Sequence, residues 1–317
     1  MKAIALDHFG GPDVLALREL PDPQPGPGEV RIRIHAAGVN PVDWKIREGL
    51  LQGRLPHAFP LIPGWDAAGL LDAVAPDVTD LQPGDAVYAY CRKPVIQHGA
   101  YAESITLPAT SVARKPANAT FEQAASIPLA ALTAYQSLHD AGQLAGGQTV
   151  LIHAGSGGVG GFAIQLAKHA GATVIATASA PNHPYLRELG ADHTIDYTTT
   201  DFRDAVRDLV PGGVDLAYDT VGGDVQTRSA DIVKPGGTLV SILAFADEPA
   251  LQARGIQTRY VFVAPNATQL NDLAQRFDQG RFTTRLATVL PLEQAAEAHR
   301  LIQTGRTVGK IVLQVGK

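Results

Sequence analysis

Residues 149–178, TVLIHAGSGGVGGFAIQLAKHAGATVIATA, decide the fold of this chain. The stretch TVLIHAG (149–155) is an apolar run typical of a buried strand, and FAIQLAKHAG (162–171) has the pattern of a helix that ends at a glycine. The following residues, ATVIATA (172–178), again read as a strand. A strand, a helix and a second strand in this order predict a βαβ unit with two parallel strands.

The same alternation continues towards the C-terminus. Three further strands and two helices are predicted, at HPYLRELG (183–190), HTIDY (193–197), FRDAVRDLV (202–210), VDLAYDTV (214–221) and GTLVSIL (237–243). Apolar strands separated by helices of about ten residues indicate a parallel sheet covered on both faces. The fold class is therefore α/β, with a doubly wound domain.

The loop between the first strand and its helix is rich in glycine. Gly155, Gly157 and Gly160 fit the G-x-G-x-x-G pattern. The first glycine permits a tight turn, the second lets the backbone approach a pyrophosphate, and the third lets the helix pack against the strand. The N-terminus of the helix then offers free N–H groups to the phosphates. Because the motif lies between a predicted strand and helix, it predicts dinucleotide binding and not merely a glycine turn.

The end of the second strand bears on which dinucleotide binds. An NAD site places an acid there for the ribose 2′-hydroxyl, whereas this chain has ASAPNH (178–183). Without a carboxylate to repel it, a 2′-phosphate is acceptable and Ser179 can donate to it. Ser179 can equally serve as a plain helix N-cap, and no Lys or Arg stands in this stretch. The sequence favours NADPH over NADH.

The first 120 residues follow another pattern. Val30, Ile32 and Ile34 alternate with charged residues, which is the period of two of a strand with one buried face. Segments rich in proline and glycine, such as PDPQPGPGE (21–29), surround it and indicate many short strands. The pattern becomes helical near residue 121, which suggests a domain boundary.

Composition excludes several classes of protein. The 317 residues suit two domains, and the net charge of −5 gives no basic surface for nucleic acid. No run of about 18 apolar residues predicts a membrane span, and no signal peptide is evident, so the predicted location is the cytoplasm. Cys91 is the single cysteine, which leaves no thiolate cluster for zinc and favours an inert packed thiol.

Several motifs in a fixed order resemble a known family. They are GVNPVD (38–43), PGWDAAG (63–69), GDAVY (84–88), GAYAE (99–103), LTA (132–134), AGSGGVG (154–160) and GKIV (309–312). Together they look like the zinc-independent quinone oxidoreductases of the medium-chain dehydrogenase/reductase superfamily, and the resemblance covers nearly the whole chain.

The resemblance implies a GroES-like catalytic domain from residues 1–121 and 264–317, and a Rossmann NADP(H)-binding domain at 122–263. It places the active site in the cleft between these domains. Dimers are usual in the family and form through edge strands of the Rossmann sheets, so RYVFV (259–263) is expected to be that strand here.

The zinc alcohol dehydrogenases of the superfamily differ at the residues that hold catalytic zinc. They carry Cys where this chain has Asn40, and Gly-His-Glu where it has Gly64-Trp65-Asp66. Of these residues, only the Asp66 carboxylate is a usual zinc ligand. Without a Lewis acid, alcohol oxidation is hard, whereas quinones and α,β-unsaturated carbonyls need little activation. We therefore expect no metal, and a reductase that takes hydride from NADPH.

The resemblance also implies catalytic residues. Asn40 and Asp43 are expected beside the nicotinamide, where Asn40 can bond a substrate carbonyl. The alternative is that Asn40 forms a turn with the following proline and that Asp43 caps the next helix. Lys45 replaces a tyrosine found in some relatives and is a hypothetical electrophilic helper, although an exposed lysine is usually only solvated.

A further set of positions matches cofactor contacts of the family. Besides the three motif glycines and Ser179, the expected contacts are Thr133, Gly158, Val159, His183, Tyr197, Val221 and Leu243. Tyr197 matches a tyrosine that reaches the 2′-phosphate, and His183 falls near a lysine of NADPH-using relatives. Thr133, Val221 and Leu243 can equally be ordinary interior residues.

Three functions stay open at this stage. The favoured one is a quinone oxidoreductase, whose rate comes mainly from holding a small electrophilic acceptor against the nicotinamide. The first alternative keeps the fold and reduces the C=C bond of an enone or 2-alkenal. The second, of another class, is an NADPH-binding sensor or structural protein without turnover.

Overall fold

The computed structural model describes residues 1–316 and divides into two compact units. One unit contains Met1–Leu132 and the segment from Ala264 onward, and the other contains Thr133–Val263. The resemblance implied boundaries at residues 122 and 264, whereas the units change at Thr133 and Ala264. No helix among the described residues is both long and apolar enough to cross a membrane.

The elements are numbered along the chain. The strands are β1 (Lys2–Ala5), β2 (Ala16–Glu19), β3 (Glu29–Val39), β4 (His57–Ile62), β5 (Asp66–Val74), β6 (Ala86–Tyr90), β7 (Ile96–His98), β8 (Ser104–Pro108), β9 (Val112–Arg114), β10 (Thr149–Ile152), β11 (Thr173–Ala178), β12 (His193–Asp196), β13 (Val214–Asp219), β14 (Val233–Ser241), β15 (Gln257–Tyr260), β16 (Leu286–Pro291) and β17 (Lys310–Gln314). The helices are α1 (Pro41–Arg47), α2 (Phe121–Ala125), α3 (Pro128–Tyr135), α4 (Gly158–His169), α5 (His183–Glu188), α6 (Phe202–Leu209), α7 (Gly223–Ser229), α8 (Glu248–Ala253), α9 (Ala267–Asp278) and α10 (Ala295–Gln303).

The unit Thr133–Val263 contains one six-stranded sheet. Its order is β12-β11-β10-β13-β14-β15, and every neighbouring pair is parallel. The strand order reverses between β10 and β13, as it does in the Rossmann fold, so the predicted doubly wound domain is confirmed. Ligands of such sheets bind at the carboxyl ends of the strands beside this reversal, where the glycine loop also lies.

Apolar side chains at matched register form the core of this sheet. Leu151 pairs with Ile175 on one side and Ala217 on the other, and Ala217 pairs with Leu239. All four are buried in one cluster, which Phe202 of α6 also joins. Continuous apolar strands predict this arrangement, because both faces of a doubly wound sheet are covered.

The other unit is β-rich, as the sequence predicts. Its main sheet has seven strands in the order β16-β17-β3-β5-β6-β9, with β8 also paired to β3, and two separate ribbons are formed by β1 with β2 and by β4 with β7. In β3 the predicted alternation is confirmed, because Val30, Ile32 and Ile34 are buried whereas Arg33 is exposed. The C-terminal strand β17 pairs antiparallel with β3, so both ends of the chain build one sheet.

The expected edge strand at residues 259–263 is shorter than the sequence suggests. The strand β15 ends at Tyr260, and after it only the N–H of Val261 still donates to the carbonyl of Ser241, at 2.9 Å. Its neighbour β14 ends at Ser241, so the next residues have no strand to pair with. The family resemblance implied a strand over this segment, but the length of the partner strand decided where pairing stops.

Candidate functional site

The glycine loop between β10 and α4 is closely packed against backbone. A Cβ atom on Gly160 would lie 2.3 Å from the carbonyl oxygen of Ala154, and one on Gly157 would lie 3.3 Å from the same oxygen. A Cβ on Gly155 would meet three side chains at 3.0 to 3.2 Å, including Ala176 of β11. Each motif glycine therefore stands where the turn, or the packing of α4 on the strands, leaves little room for a side chain.

The N-terminus of α4 is free to bind an anion. Gly157 is the N-cap residue and offers no side chain to the first turn. Within residues 1–316, the N–H groups of Gly158, Val159 and Gly160 have no recorded hydrogen-bond acceptor. Gly157 to Val159 are only partly buried, so a ligand can reach them. Free N–H groups at the positive end of a helix fit the pyrophosphate of a dinucleotide.

Polar neutral groups lie at the end of β11. The Asn182 Nδ2 donates to Ser179 Oγ at 3.2 Å, and lies 3.5 Å from Ser156 Oγ of the glycine loop. Ser179 holds the N-cap position of a short 3₁₀ turn, but its hydroxyl makes no capping hydrogen bond there. The hydroxyls of both serines and the amide of Asn182 thus form a donor cluster beside the loop. Sequence reasoning singled out Ser179 and missed the other two.

The neighbouring strand β12 carries an acid that does not join this cluster. Asp196 pairs in register with Ala178, but its carboxylate accepts hydrogen bonds from the N–H and hydroxyl of Thr198, at 3.0 and 2.7 Å. These hydrogen bonds lower the pKa of Asp196. Tyr197 follows it and is 59 % exposed. The tyrosine is therefore accessible, whereas the carboxylate is engaged in its own turn.

His183 is held within the protein. Its Nε2 lies 3.2 Å from the carbonyl oxygen of Ala178 and its Nδ1 lies 3.1 Å from the hydroxyl of Thr194. A carbonyl can only accept, so Nε2 carries the proton and Nδ1 accepts from the threonine. Neither ring nitrogen is left for a phosphate in this arrangement.

The loop after β13 is organised by a buried carboxylate that sequence reasoning passed over. Asp219 Oδ1 accepts from the N–H groups of Val221 and Gly222 at 2.9 and 2.8 Å, while its Oδ2 accepts from Ser241. These bonds leave Val221 48 % exposed, and Leu243 packs over Gly222, where a Cβ would lie 2.6 Å from it. An Asp at the end of a parallel strand, followed by two glycines, is the signal that could have identified this residue.

Thr133 lies in α3 and is buried, with 4 % of its surface exposed. The helix begins at Pro128, since proline is tolerated in the first turn. All the predicted cofactor contacts fall in the unit Thr133–Val263.

The predicted catalytic residues Asn40, Asp43 and Lys45 lie in the other unit, at the end of β3 and in α1. Register explains which partners they meet. Val39 pairs with Ile311 of β17, and Gly38 pairs with Asp66 of β5. Asn40, Asp66 and Lys310 therefore converge at one end of three adjacent strands, although Lys310 is 270 positions from Asn40.

These three residues form a closed buried cluster. The Asn40 amide donates to Asp66 Oδ2 at 2.8 Å, and its carbonyl oxygen accepts from Lys310 Nζ. Lys310 also donates to the carbonyl of Val39 at 3.1 Å and lies 3.8 Å from the Asp66 carboxylate. The other oxygen of Asp66 accepts from the N–H of Leu129 at 2.7 Å. Both ends of the Asn40 side chain are thus engaged by protein.

Asp43 is the helix-capping residue of this loop. Its Oδ2 accepts from the N–H of Asn40 at 2.8 Å and from the hydroxyl of Tyr101 at 3.1 Å. Burial raises the pKa of Asp43 to about 7, and the nearby carboxylate of Asp66 adds to this rise. The proposed alternative, in which Asp43 caps the helix, agrees with these contacts.

A chain of hydrogen bonds continues from Asp43 through the interior. The Tyr101 hydroxyl lies 3.3 Å from His299 Nε2, and His299 Nδ1 lies 3.1 Å from an Arg47 nitrogen. Because arginine can only donate, His299 is neutral, and burial together with Arg47 lowers its pKa to about 3. Arg47 in turn pairs with Glu48, which is partly exposed. Sequence reasoning named none of these partners as functional, although Tyr101 and Lys310 lie in family motifs.

Lys45 differs from these residues because its ammonium has no anionic partner. Its Nζ lies 5.8 Å from the centre of the Trp44 ring, and neither a hydrogen bond nor a salt bridge to it is recorded in residues 1–316. The side chain is partly buried, and burial lowers the pKa of Lys45. A half-buried, unpaired amine is free to approach an oxygen of a bound molecule.

The groups at the expected zinc positions do not fit zinc. Asn40 and Asp66 bind each other and Lys310, and Trp65 packs edge-on against Tyr90 with their ring centres 6.0 Å apart. An ammonium, an amide and an indole supply no zinc ligand set. In the part of the chain that the structure describes, no three His, Cys, Asp or Glu side chains cluster as a metal site would need. Cys91 is buried, and burial raises the pKa of its thiol.

Two protein families match different parts of the chain. The family described as "Alcohol dehydrogenase GroES-like domain" matches residues 26–117, and the family described as "Zinc-binding dehydrogenase" matches residues 189–313.

Named relatives align over almost the whole chain. The chain is 36 % identical to a "Quinone oxidoreductase" of Pseudomonas aeruginosa, covering 98 % of this chain and 99 % of that protein. It is 34 % identical to the "Synaptic vesicle membrane protein VAT-1 homolog" of Rattus norvegicus, over 100 % and 84 %. It is 32 % identical to a "2-haloacrylate reductase" of Burkholderia sp, over 98 % of each.

Solved structures agree with this relationship. A structure described as an NAD-dependent alcohol dehydrogenase is 35 % identical, covers 100 % of both chains and superposes with a TM-score of 0.91. The Escherichia coli quinone oxidoreductase in complex with NADPH is 27 % identical, covers 99 % of this chain and 100 % of its own, and superposes with a TM-score of 0.89. The chain is therefore an oxidoreductase of the nicotinamide-dependent medium-chain dehydrogenase/reductase superfamily and belongs to its zinc-independent quinone oxidoreductase-like family.

Proposed function

We propose that this protein transfers a hydride from NADPH to a quinone without a metal. The observation that carries this proposal is the closed Asn40–Asp66–Lys310 cluster, in which the residues at the expected zinc positions bind one another. Such a site has no ligand set with which to polarise an alcohol, whereas a quinone accepts hydride without that help. The relative from Pseudomonas aeruginosa is named a quinone oxidoreductase.

The preference for NADPH rests on the cluster at the end of β11. The two serine hydroxyls accept from the Asn182 amide and remain donors for a 2′-phosphate, and Tyr197 is exposed directly after β12. The acid that pairs in register with Ala178 is Asp196, and its carboxylate accepts hydrogen bonds from Thr198. We propose that these neutral donors replace the usual cationic clamp.

The chain's own residues supply position and charge. The glycine loop and the α4 N-terminus hold the pyrophosphate, and Asp219 holds the loop of Val221 at the carboxyl end of β13. The nicotinamide supplies the hydride. Since both ends of its amide are occupied, we propose that Asn40 shapes the loop together with Asp43, and that Lys45 steadies the acceptor oxygen that gains charge.

A second candidate reaction is the reduction of an activated C=C bond. Two relatives carry names of this kind, the 2-haloacrylate reductase of Burkholderia sp and the "2-methylene-furan-3-one reductase" of Solanum lycopersicum, at 32 % and 35 % identity. A quinone and an activated C=C bond both accept hydride through a conjugated carbonyl group without a metal. The same residues therefore serve either reaction.

Initial rates with two acceptors test the proposal. NADPH and NADH oxidation are measured side by side with 1,4-benzoquinone and methyl vinyl ketone, and the products are analysed. We expect NADPH consumption and hydroquinone formation. Saturated ketone as the main product would favour the second candidate, and tight NADPH binding without turnover of either acceptor would favour the sensor. A preference for NADH would contradict the role given to Ser179 and Tyr197.

We also propose a homodimer through β15. This strand pairs with β14 on one side and ends the sheet order, and Tyr260 and Phe262 beside it are each 46 % exposed. An unpaired edge with aromatic side chains is a ready surface for a second copy. Analytical ultracentrifugation should give twice the chain mass of 33.4 kDa, and Tyr260→Lys should shift the species towards the monomer. A wild-type monomer at micromolar concentration would contradict this arrangement.

The buried carboxyl group of Asp43 predicts a pH dependence of stability. Because burial raises the pKa of Asp43 from its usual 3.8 to about 7, the folded protein holds a proton there that the unfolded chain has lost. Its contribution to the free energy of unfolding is up to about 4 kcal/mol. This contribution is present below pH 4 and is lost as the pH rises through 7.

The Asp43→Asn variant removes this titration. We expect the wild type to lose stability relative to the variant between pH 5 and pH 8, as measured by urea unfolding. The amide costs a constant amount, since Asp43 Oδ1 has no hydrogen-bond partner within residues 1–316, and that cost does not change with pH. A difference that stays the same at both pH values would contradict the assigned pKa.

A further inference from the structure

A cavity of about 300 Å³ lies within the first unit, apart from the loop of Asn40 and Lys45. Its wall is largely apolar and is built by Leu20, Pro21, Pro23, Pro60, Ile62 and Ile105. None of the residues lining it belongs to the unit Thr133–Val263 or to the predicted catalytic residues. The volume is at the lower end of the range of small-molecule pockets, about 300 to 1,000 Å³.

Besides Asp22, Ser104 and Thr106, three polar side chains line the same cavity. Lys93 precedes β7, and Gln97 and His98 belong to it. No side-chain hydrogen bond or salt bridge of these three is recorded for the described chain, residues 1–316. Lys93 is only partly exposed, and burial lowers its pKa. Burial also lowers the pKa of His98, and the positive charge of Lys93 lowers it further. His98 is exposed to solvent, whereas the partly buried ammonium of Lys93 lies at an apolar wall without a protein partner among the described residues, which favours binding of an anion there.

The charge of the cavity is positive. Its one acid, Asp22, is paired with the amino group of Met1 at 3.2 Å and is 62 % exposed, so it does not neutralise Lys93. An apolar wall with an unpaired ammonium and a neighbouring amide donor fits an apolar molecule that carries one carboxylate. Such a carboxylate can accept from Lys93, and a charge-assisted hydrogen bond of this kind is stronger than a neutral one.

We propose that this cavity is a binding site for a small apolar monocarboxylate, separate from the dinucleotide site. Benzoate is a suitable probe, and benzamide is its neutral counterpart of the same shape. Titration calorimetry, supported by saturation-transfer NMR, should show benzoate binding to the wild type about tenfold or more tightly than benzamide. Saturating NADPH should leave this affinity unchanged.

Substitution of the lysine provides the decisive comparison. In Lys93→Met the affinity for benzoate should fall about tenfold or more, to that of benzamide, whereas Lys93→Arg keeps the charge and should keep most of the preference. Lys2→Met is the matched control, because Lys2 is exposed in the same unit and does not line the cavity. Its affinity for benzoate should equal that of the wild type.

Methionine is apolar, so Lys93→Met should not lower the melting temperature, and Lys93→Arg gives a second folded variant for the comparison. Equal affinity for benzoate and benzamide, unchanged benzoate binding in Lys93→Met, or displacement of benzoate by NADPH would each overturn the proposal.

Discussion

Replacing Lys310 with methionine is expected to lower the free energy of unfolding by about 3 to 5 kcal/mol. Lys310 is 4 % exposed and its ammonium bonds the side chain of Asn40 and the carbonyl of Val39, close to the carboxylate of Asp66. Burial raises the pKa of Asp66 to about 6 even with this lysine beside it. Without the lysine, the carboxylate of Asp66 and the amide oxygen of Asn40 would stay buried without the cation that interacts with both.

Chemical unfolding of Lys310→Met, of Asp66→Asn and of the double variant checks this expectation. Asp66→Asn combined with Lys310→Met removes both charges, so the double variant should be more stable than the sum of the two single effects predicts. Lys234→Met is the control, because its pair with Asp215 is about half exposed on the lysine side, and the loss there should be under about 1 kcal/mol. A loss below 1 kcal/mol in Lys310→Met would show that the cluster does not act as a buried ionic unit.

The same variant separates a structural role from a functional one. If the cluster holds the Asn40 loop in place, Lys310→Met should lower kcat with acceptor more than it raises the KM for NADPH, whose predicted contacts lie in the other unit. An unchanged kcat in folded protein would contradict the positioning role that we propose for Asn40.

Gly160→Ala is expected to weaken NADPH binding by about a hundredfold or more. The added methyl group would lie 2.3 Å from the Ala154 carbonyl oxygen and 2.8 Å from the Cα of Gly155, and backbone atoms cannot rotate away as a side chain can. The loop and the first turn of α4 must therefore shift, and the N–H groups that we propose bind the pyrophosphate shift with them. A misplacement of about 1 Å at such a site commonly costs a hundredfold.

Fluorescence titration with NADPH measures this loss. Gly212→Ala is the matched control, because a Cβ there meets nothing within 4 Å and Gly212 belongs to the same unit. It should bind NADPH as the wild type does. Circular dichroism establishes that Gly160→Ala is folded, and wild-type affinity in that variant would contradict the assignment of the loop as the pyrophosphate site.

Local pattern was enough to predict the doubly wound unit. Apolar runs at 149–152 and 173–178, separated by a helix that ends near a glycine, are short-range features, and the parallel sheet follows because both faces of such strands must be covered. Part of the glycine loop was equally local, since Gly157 and Gly160 are both held close to the carbonyl of Ala154, within six positions, whereas Gly155 packs against Ala176 of the next strand. The edge strand at 259–263 was predicted too long, because its length depends on where β14 ends.

The loop of Asn40 shows what local pattern misses. Asn40 was predicted from a motif as a residue facing substrate, but its partners come from β5 and β17, at Asp66 and Lys310. Arg47 and His299, which are joined directly by a hydrogen bond, are likewise more than 250 positions apart. Nothing in the spacing of these residues predicts that they meet.

By itself the sequence determined the fold class, the dinucleotide loop and the family, because periodicity, glycine spacing and ordered motifs are properties of neighbouring residues. Only the tertiary structure decided that Asn40, Asp66 and Lys310 close on one another, that His183 is engaged on both sides of its ring, and that Lys93 lies unpaired at an apolar cavity. The reason is physical: sheet register brings together side chains from distant strands, and burial then sets which of them must pair.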